Sequence, residues 1–544
     1  MSSDVASGGP ISVGRRSHYP LLAVGAVLLG SYIASFHSRL LSQSLPDLRG
    51  SFGLSFDEGA WLNTAALAPQ ILIAPAVAWL ATVFGVRRVL IGPSLAYAAI
   101  SLAIPFVRDY QLLLGLHFVH GLLLGTFVPA TIMIIFRNLP MRWWLPGISV
   151  YIFRQALSLN WGVALVDYYV QYPGWQWVYW QDVVAAPLMG LLTFFGAPRE
   201  PVNRTLLANA DWGGMLLLGA GFALIYAGMD QGNRLDWFES GVVTSLLAAG
   251  GTLVVGFFVN EALVREPWAS ADVILARNVG VPLLVAVLYT FTSLSSSMLV
   301  PGFLSTVGHL RPEQIGHMLT FYGALPLFVF MPLTVYALTR VDARLTMMAG
   351  LACFAVASLL GTRLTHDWGP DDFIPMTLVQ SAGQCLAFLS VVIFAMGNAN
   401  PARATAITAY IQVIRLNGAE LATTLMATWL RVQEQVHSNL LGLHVAAGDS
   451  AVVQTLTTLS ARFSSHGASP GTASARGAST LASLVQQEAY VLSYVDAFWI
   501  TFWFAIAALF LVALLKQSPP GPFTPARRTP AADQPTGGDR ALQR

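Results

Sequence analysis

Ala78-Trp-Leu-Ala-Thr-Val-Phe-Gly-Val-Arg-Arg88 joins two long apolar runs, 59–82 and 88–106. Gly85 permits a tight turn, and Arg87 and Arg88 anchor that turn on one side of a membrane. The stretch reads as the turn of a hairpin between two spanning helices. The pattern recurs outward in both directions. Apolar runs lie near 21–45, 59–82, 88–106, 111–135, 145–170, 177–197 and 212–229. They continue near 240–261, 278–304, 317–339, 345–363, 372–397, 402–430 and 490–516. As helices they are long enough to cross about 30 Å of hydrocarbon, where each must satisfy its own backbone. The expectation is an all-α polytopic membrane protein with about 14 transmembrane helices.

Composition excludes other classes. Only 10% of the 544 residues are charged, against roughly 25% in soluble domains. No alternating short strands of an outer-membrane barrel are seen. A net charge of +2 gives no argument for nucleic acid. Cys353 and Cys385 fall in apolar runs and read as free thiols. The first run is too long for a cleavable signal peptide and is followed by further spans. Enzyme motifs are missing: no Gly-x-Ser-x-Gly, no His-Glu-x-x-His, no paired-cysteine metal site. The lone lysine, Lys516, has no Gly-rich loop before it, which argues against a P-loop ATPase. No cofactor and no metal is expected.

The basic residues orient the chain. With the N-terminus in the cytoplasm, 18 of the 29 fall on cytoplasmic segments, 8 on outer segments, and Arg39, Arg154 and Arg415 inside spans. This bias supports an even number of spans with both termini inside. Trp175, Trp177, Trp180, Tyr168, Tyr169 and Tyr172 crowd one boundary, as an interfacial aromatic belt does. Residues 431–489 read as a long outer loop, and 517–544 as a disordered cytoplasmic tail.

The turn at 78–88 resembles the cytoplasmic loop signature of the major facilitator superfamily. Ser44-Leu45-Pro46, Arg340-Val-Asp342-Ala-Arg344, Ile414-Arg415-Leu-Asn-Gly418 and Val485–Phe498 resemble the fourteen-span drug:proton antiporters of the EmrB/QacA type. The resemblance covers roughly residues 20–516. It implies a cytoplasmic segment 1–19, a six-helix bundle over 20–205, two linker helices over 206–270, and a second bundle over 271–516. It implies a midplane cavity worked by alternating access, in the inner membrane, with export driven by proton entry. It also implies a periplasmic membrane-fusion adaptor and an outer-membrane channel as partners. The loop residues Gly85, Arg87, Arg88, Arg340, Asp342 and Arg344 are expected to stabilise one conformation.

Several positions depart from that family. His37 stands where the first span usually carries an acid. His117-Phe-Val-His120 replaces the Arg and Gln-Gly of the fourth span. Asn160–Asp167 lacks the Gly-Pro antiporter signature, and Thr82 replaces the loop acid. Ionisable groups inside spans normally face a cavity or a partner, and histidine titrates near neutral pH. His37, Glu420, His117 and His120 are therefore the proton-coupling candidates, with hydrogen bonding between spans as the bland alternative. Arg39, Gln43, Arg154, Gln155, Arg415 and Asn417 are the cavity candidates, and the arginines favour anionic or aromatic-acid substrates. Asp167 and Asp182 read as wetted boundary groups. The departures leave open a uniporter or importer without proton coupling, and a non-transporting scaffold.

Overall fold

The computed structural model describes residues 17 and 19–515, apart from 265–266, 398–403 and 447. Arg15, Arg16, Arg265, Arg403, Lys516 and the tail 517–544, used above for orientation, lie outside the described residues. The fold is helical, with no strand among the described residues. Six helices come first: α1 (Pro20–Phe52), α2 (Phe56–Phe84), α3 (Val86–Ala103), α4 (Tyr110–Met133), α5 (Trp144–Gln171) and α6 (Trp177–Gly196). Then follow α7 (Trp212–Gly232) and α8 (Gly241–Leu263). Four later helices are interrupted or regular: α9 (Arg277–Leu294, continuing as Val300–Thr306), α10 (Pro312–Met318, continuing as Leu327–Arg340), α11 (Ala343–Gly361) and α12 (Ile374–Gly397). The last three are α13 (Ala404–Val413, continuing as Ala419–Gly442), α14 (Ser450–Ser465) and α15 (Pro470–Ala513).

Local chemistry sets the starts and turns. Ser55 caps α2 in a reciprocal capping box: Ser55 Oγ accepts from Glu58 N at 3.2 Å, and Ser55 N donates to Glu58 Oε2 at 2.8 Å. Asp109 caps α4 and Asp211 caps α7 by accepting from Leu112 N and Gly214 N, each at 2.8 Å. Gly85 has φ +83°, a conformation that favours glycine, and makes the turn between α2 and α3.

Twelve helices among the described residues are long and apolar enough to cross a membrane. The count of fourteen differs at the runs 145–170 and 402–430. Both runs are helical, as α5 and α13, but too polar to qualify by composition. Their polar residues include Arg154, Gln155, Asn160 and Asp167 in α5, and Gln412, Arg415, Asn417 and Glu420 in α13.

α1 to α6 pack on one another, and so do α9 to α13 with α15. α7 and α8 pair together, and α7 also lies on α2. Gly121 and Gly125 of α4 form a small-residue ridge against α2; a Cβ at Gly121 would stand 2.3 Å from Ala66 O. α5 meets α10 and α12 across the middle of the molecule. The segment 431–489, expected as a loop, is largely helical. The end of α13, α14 and the first part of α15 form a helical projection, in which Ala473 and Gly477 are buried. Small side chains there permit close helix packing, so the Ser/Ala/Gly-rich composition marks an interface.

Candidate functional site

Between the two groups of helices lies a cavity of about 190 Å³. Its wall is mainly apolar, with Tyr151, Tyr289, Phe136 and Phe388 among aliphatic side chains. Arg39, Gln155 and Arg415 also line it, and no Asp or Glu does. Arg39 Nη2 donates to Ser297 O at 2.9 Å, linking α1 to α9, while its Nε is buried without a partner. Arg415 Nε donates to Gln412 Oε1 at 2.9 Å. Arg154 lies behind the wall, 1% exposed, with its guanidinium carbon 4.5 Å from the centre of the Tyr151 ring. Its Nε donates to Tyr151 O at 2.9 Å, and both Nη atoms are buried without a partner. None of the three arginines makes an ion pair among the described residues. The other cavity candidates fall elsewhere. Gln43 is exposed and is not on the wall. Asn417 is buried, off the wall, with both amide atoms unpartnered.

Two of the helices break into π turns at this wall: Ser295–Leu299 in α9 and Ile414–Gly418 in α13. A third, Ile134–Asn138, follows α4 and supplies Ile135 and Phe136 to the wall. A π turn leaves backbone carbonyls free for other donors, and such turns recur at functional sites. Ser297 O, which accepts from Arg39, lies in one of them.

The three histidine candidates come together inside the first group of helices, away from the cavity wall. His37 Nδ1 lies 2.7 Å from Asp182 Oδ2, with exposures of 1% and 0%. Asp182, expected to be wetted, is thus fully buried: α6 turns it inward from the aromatic boundary. Tyr97 Oη also donates to Asp182 Oδ2 at 3.0 Å. The Tyr97 ring stacks on His120 with centroids 3.9 Å apart, and His120 lies 4.7 Å from His37. Ser101 Oγ and His120 Nε2 are 2.8 Å apart. His117 Nδ1 faces Leu113 O at 2.8 Å, so Nδ1 carries a proton; Nε2 faces Tyr179 Oη at 3.0 Å. A neutral imidazole satisfies both of its contacts. Asp182, Tyr97 and Tyr179 were not among the sequence candidates. Tyr179 and Asp182 lie three apart on α6 and so share a face, whereas Tyr97 reaches them from α3, which no sequence spacing reveals.

Glu420, the fourth coupling candidate, is remote from these histidines in the packing. It is half-buried on α13 and accepts from the Thr424 hydroxyl at 3.0 Å. Asp167 lies at the end of α5 and accepts from Gln171 Nε2 at 2.8 Å.

The turn motifs are held by local contacts. Arg87 stacks over Phe194 at 3.8 Å, and Arg88 Nη1 donates to Phe84 O at 3.2 Å. The acid absent at Thr82 has a counterpart in Glu200, which packs against Gly85 and pairs with Arg137 at 3.1 Å, both 9% exposed. In the second half Arg344 pairs with Asp342 at 3.1 Å and donates to Leu515 O at 2.9 Å. Arg340 stays outside that clamp, over the Tyr336 ring at 5.5 Å, because the helix turns it away.

Comparison with known proteins accords with this architecture. Residues 27–300 match the family model described as Major Facilitator Superfamily. Among curated relatives, the colistin resistance protein EmrB of Acinetobacter baumannii is 18% identical over 62% of this chain and 66% of its own length. The probable multidrug resistance protein EmrY of Escherichia coli is 22% identical over 61% of this chain and 64% of its own length. The chain thus spans just under two thirds of the length of these two relatives. The fatty acid resistance protein FarB of Neisseria gonorrhoeae is 18% identical over 81% of this chain and 87% of its own length. Among solved structures, the proton:xylose symporter XylE superposes with a TM-score of 0.53 at 14% identity, covering 92% of this chain and 96% of that one. A bacterial homologue of the human drug peptide transporters PepT1 and PepT2 also reaches 0.53, at 15% identity, covering 91% of this chain and 100% of that one. With its many apolar helices and the family match over residues 27–300, this chain is a multi-pass membrane protein that belongs to the major facilitator superfamily.

Proposed function

We propose that the chain is an inner-membrane exporter, with both termini cytoplasmic, that moves small organic anions by alternating access. The observation that carries this reading is the cavity: an aromatic and aliphatic wall holding Arg39 and Arg415, with no carboxylate to neutralise them. Desolvated cations without an acidic partner favour an anionic ligand, and the apolar wall favours an amphipathic one. The curated relatives' names, which speak of multidrug, colistin and fatty acid resistance, agree with export of amphipathic compounds. In this reading 20–205 and 271–516 rock against each other about the cavity, 206–270 is the inserted pair, and the projection at 431–489 faces the periplasm. An adaptor leading to an outer-membrane channel would meet that projection.

Protons drive the cycle in this proposal. His37 and Asp182 are the first candidates, because a dry pair sharing one proton is neutral and either gain or loss of a proton charges it. The same helix carries Arg39, two residues on, which bridges to Ser297 of the other half. A charge change at the couple would therefore act on the helix that touches both the cavity and the opposite half. Glu420 is the second candidate. The loop contacts of Gly85, Arg87, Arg88, Asp342 and Arg344 would hold one conformation, with Arg340 beside them. The alternative is a uniporter without proton coupling, favoured by the seclusion of the histidine cluster from the cavity wall. Reconstituted vesicles with an imposed pH gradient separate the two: dodecanoate flux that collapses with an uncoupler supports coupling, and flux that ignores the uncoupler refutes it.

A further inference from the structure

The first inserted helix grips both halves of the molecule. Toward α2, Asp230 accepts from Asn63 Nδ2 at 3.2 Å and from the Thr64 hydroxyl. Gln231 Nε2 donates to Thr64 Oγ1 at 2.6 Å and to Ala60 O at 3.3 Å. Arg234 forms an ion pair with Asp57. Toward α13, Asn233 Oδ1 accepts from the Thr428 hydroxyl at 2.8 Å, and Asn233 Nδ2 donates to Thr424 O at 3.4 Å. Arg431 Nη1 reaches Asn233 O at 3.5 Å and pairs with Asp236 at 3.2 Å. These contacts all sit at the end of the molecule that bears the helical projection.

The two grips are unequal. α7 lies along α2 so closely that a Cβ at Gly219 would stand 2.1 Å from Leu72 O. That contact is well below the polar bonds in position, so α7 and α2 are joined along their lengths. The hold on α13 rests on a short set of polar bonds at one end, from Asn233 and Asp236 to Thr424, Thr428 and Arg431. The first piece of α13, Ala404–Val413, packs on α2 directly and does not need α7. When rigid halves rock, the seam joined by few polar bonds opens before a close-packed one.

We propose that α7 is a latch between the halves, riding with α2 and releasing α13 at Asn233 whenever the projecting end opens. Asn233 is its positioning residue. The inference rests on the alternating-access reading above. It makes the inserted pair a working part of the cycle instead of a spacer.

Two measurements test it. The first needs no substrate. In T428C protein, alkylation by a membrane-impermeant maleimide is compared with and without N233A; the wild-type chain, whose Cys353 is half-buried and Cys385 buried, is the blank. The latch predicts at least a fivefold faster reaction with N233A, and an unchanged rate overturns it. The second uses a short, reductant-cleavable bis-methanethiosulfonate cross-linker on N233C/T428C and on A60C/Q231C. Dodecanoate flux should fall at least tenfold in the linked first pair, recover on reduction, and persist in the linked second pair. Persisting flux in the linked first pair, or loss in the linked second, overturns the latch. If no form moves dodecanoate, the transport reading fails, and the alkylation result still decides the latch.

Discussion

Replacing Arg415 with Gln removes one guanidinium from the cavity while keeping a shorter, neutral polar side chain. Arg415 gives its Nε to Gln412, and no acid among the described residues pairs with it. A hydrogen bond to a charged group contributes about 1.5–3 kcal/mol. At about 1.4 kcal/mol per tenfold, losing one such bond weakens a carboxylate ligand by roughly 12- to 150-fold. A neutral ligand of the same chain length makes no charged bond and loses little. The assay is equilibrium binding of dodecanoate and of dodecanol to purified protein in detergent. The expected result is a loss confined to dodecanoate, with Arg415→Lys intermediate because it keeps the charge but not the planar fork. Equal losses for both ligands, or a loss under threefold for dodecanoate, would refute an anion site.

Other consequences follow from the same contacts. Asp182→Asn leaves His37 without its carboxylate; dodecanoate binding should be kept while stimulation of flux by a pH gradient is lost, and retained stimulation removes the couple from the mechanism. Glu200→Gln strands the buried Arg137 charge, which typically costs about 3–5 kcal/mol; thermal unfolding should move down by several degrees, and an unchanged melting temperature would show that Arg137 finds another partner. Gly219→Val pushes a side chain into the backbone of Leu72; expression of folded protein should fall sharply, measured as the monodisperse fraction in size-exclusion chromatography.

The membrane class was legible because hydrocarbon demands long apolar helices, and their lengths stand out in the chain. The count was less so: α5 and α13 carry Arg154, Gln155, Arg415 and Glu420, and those polar side chains dilute the apolarity by which spans are recognised. The alternation of Arg39 and His37 along α1 is a helical spacing and can be read directly. The partner of His37 cannot, because Asp182 lies 145 positions away and near a boundary rich in Trp and Tyr. Glu200 was missed for a similar reason. The family pattern directs attention to Thr82, whereas the acid that packs on Gly85 comes from the segment that follows α6. The helical projection was hidden by composition: Ala473 and Gly477 sit one turn apart and look like linker residues until a neighbouring helix closes on them.

The π turns around the cavity have a mechanical meaning. Each stores one surplus residue in a helix that is otherwise wound at about 3.6 residues per turn. If the surplus migrates along α13, every side chain it passes swings about 100° around the axis. Arg415 sits within the turn Ile414–Gly418, so a migration of one residue would carry its charge off the wall without moving the helix ends. Binding and release could then be set by winding slack in one strand of the scaffold, as a ratchet pawl turns on a shaft that stays in its bearings.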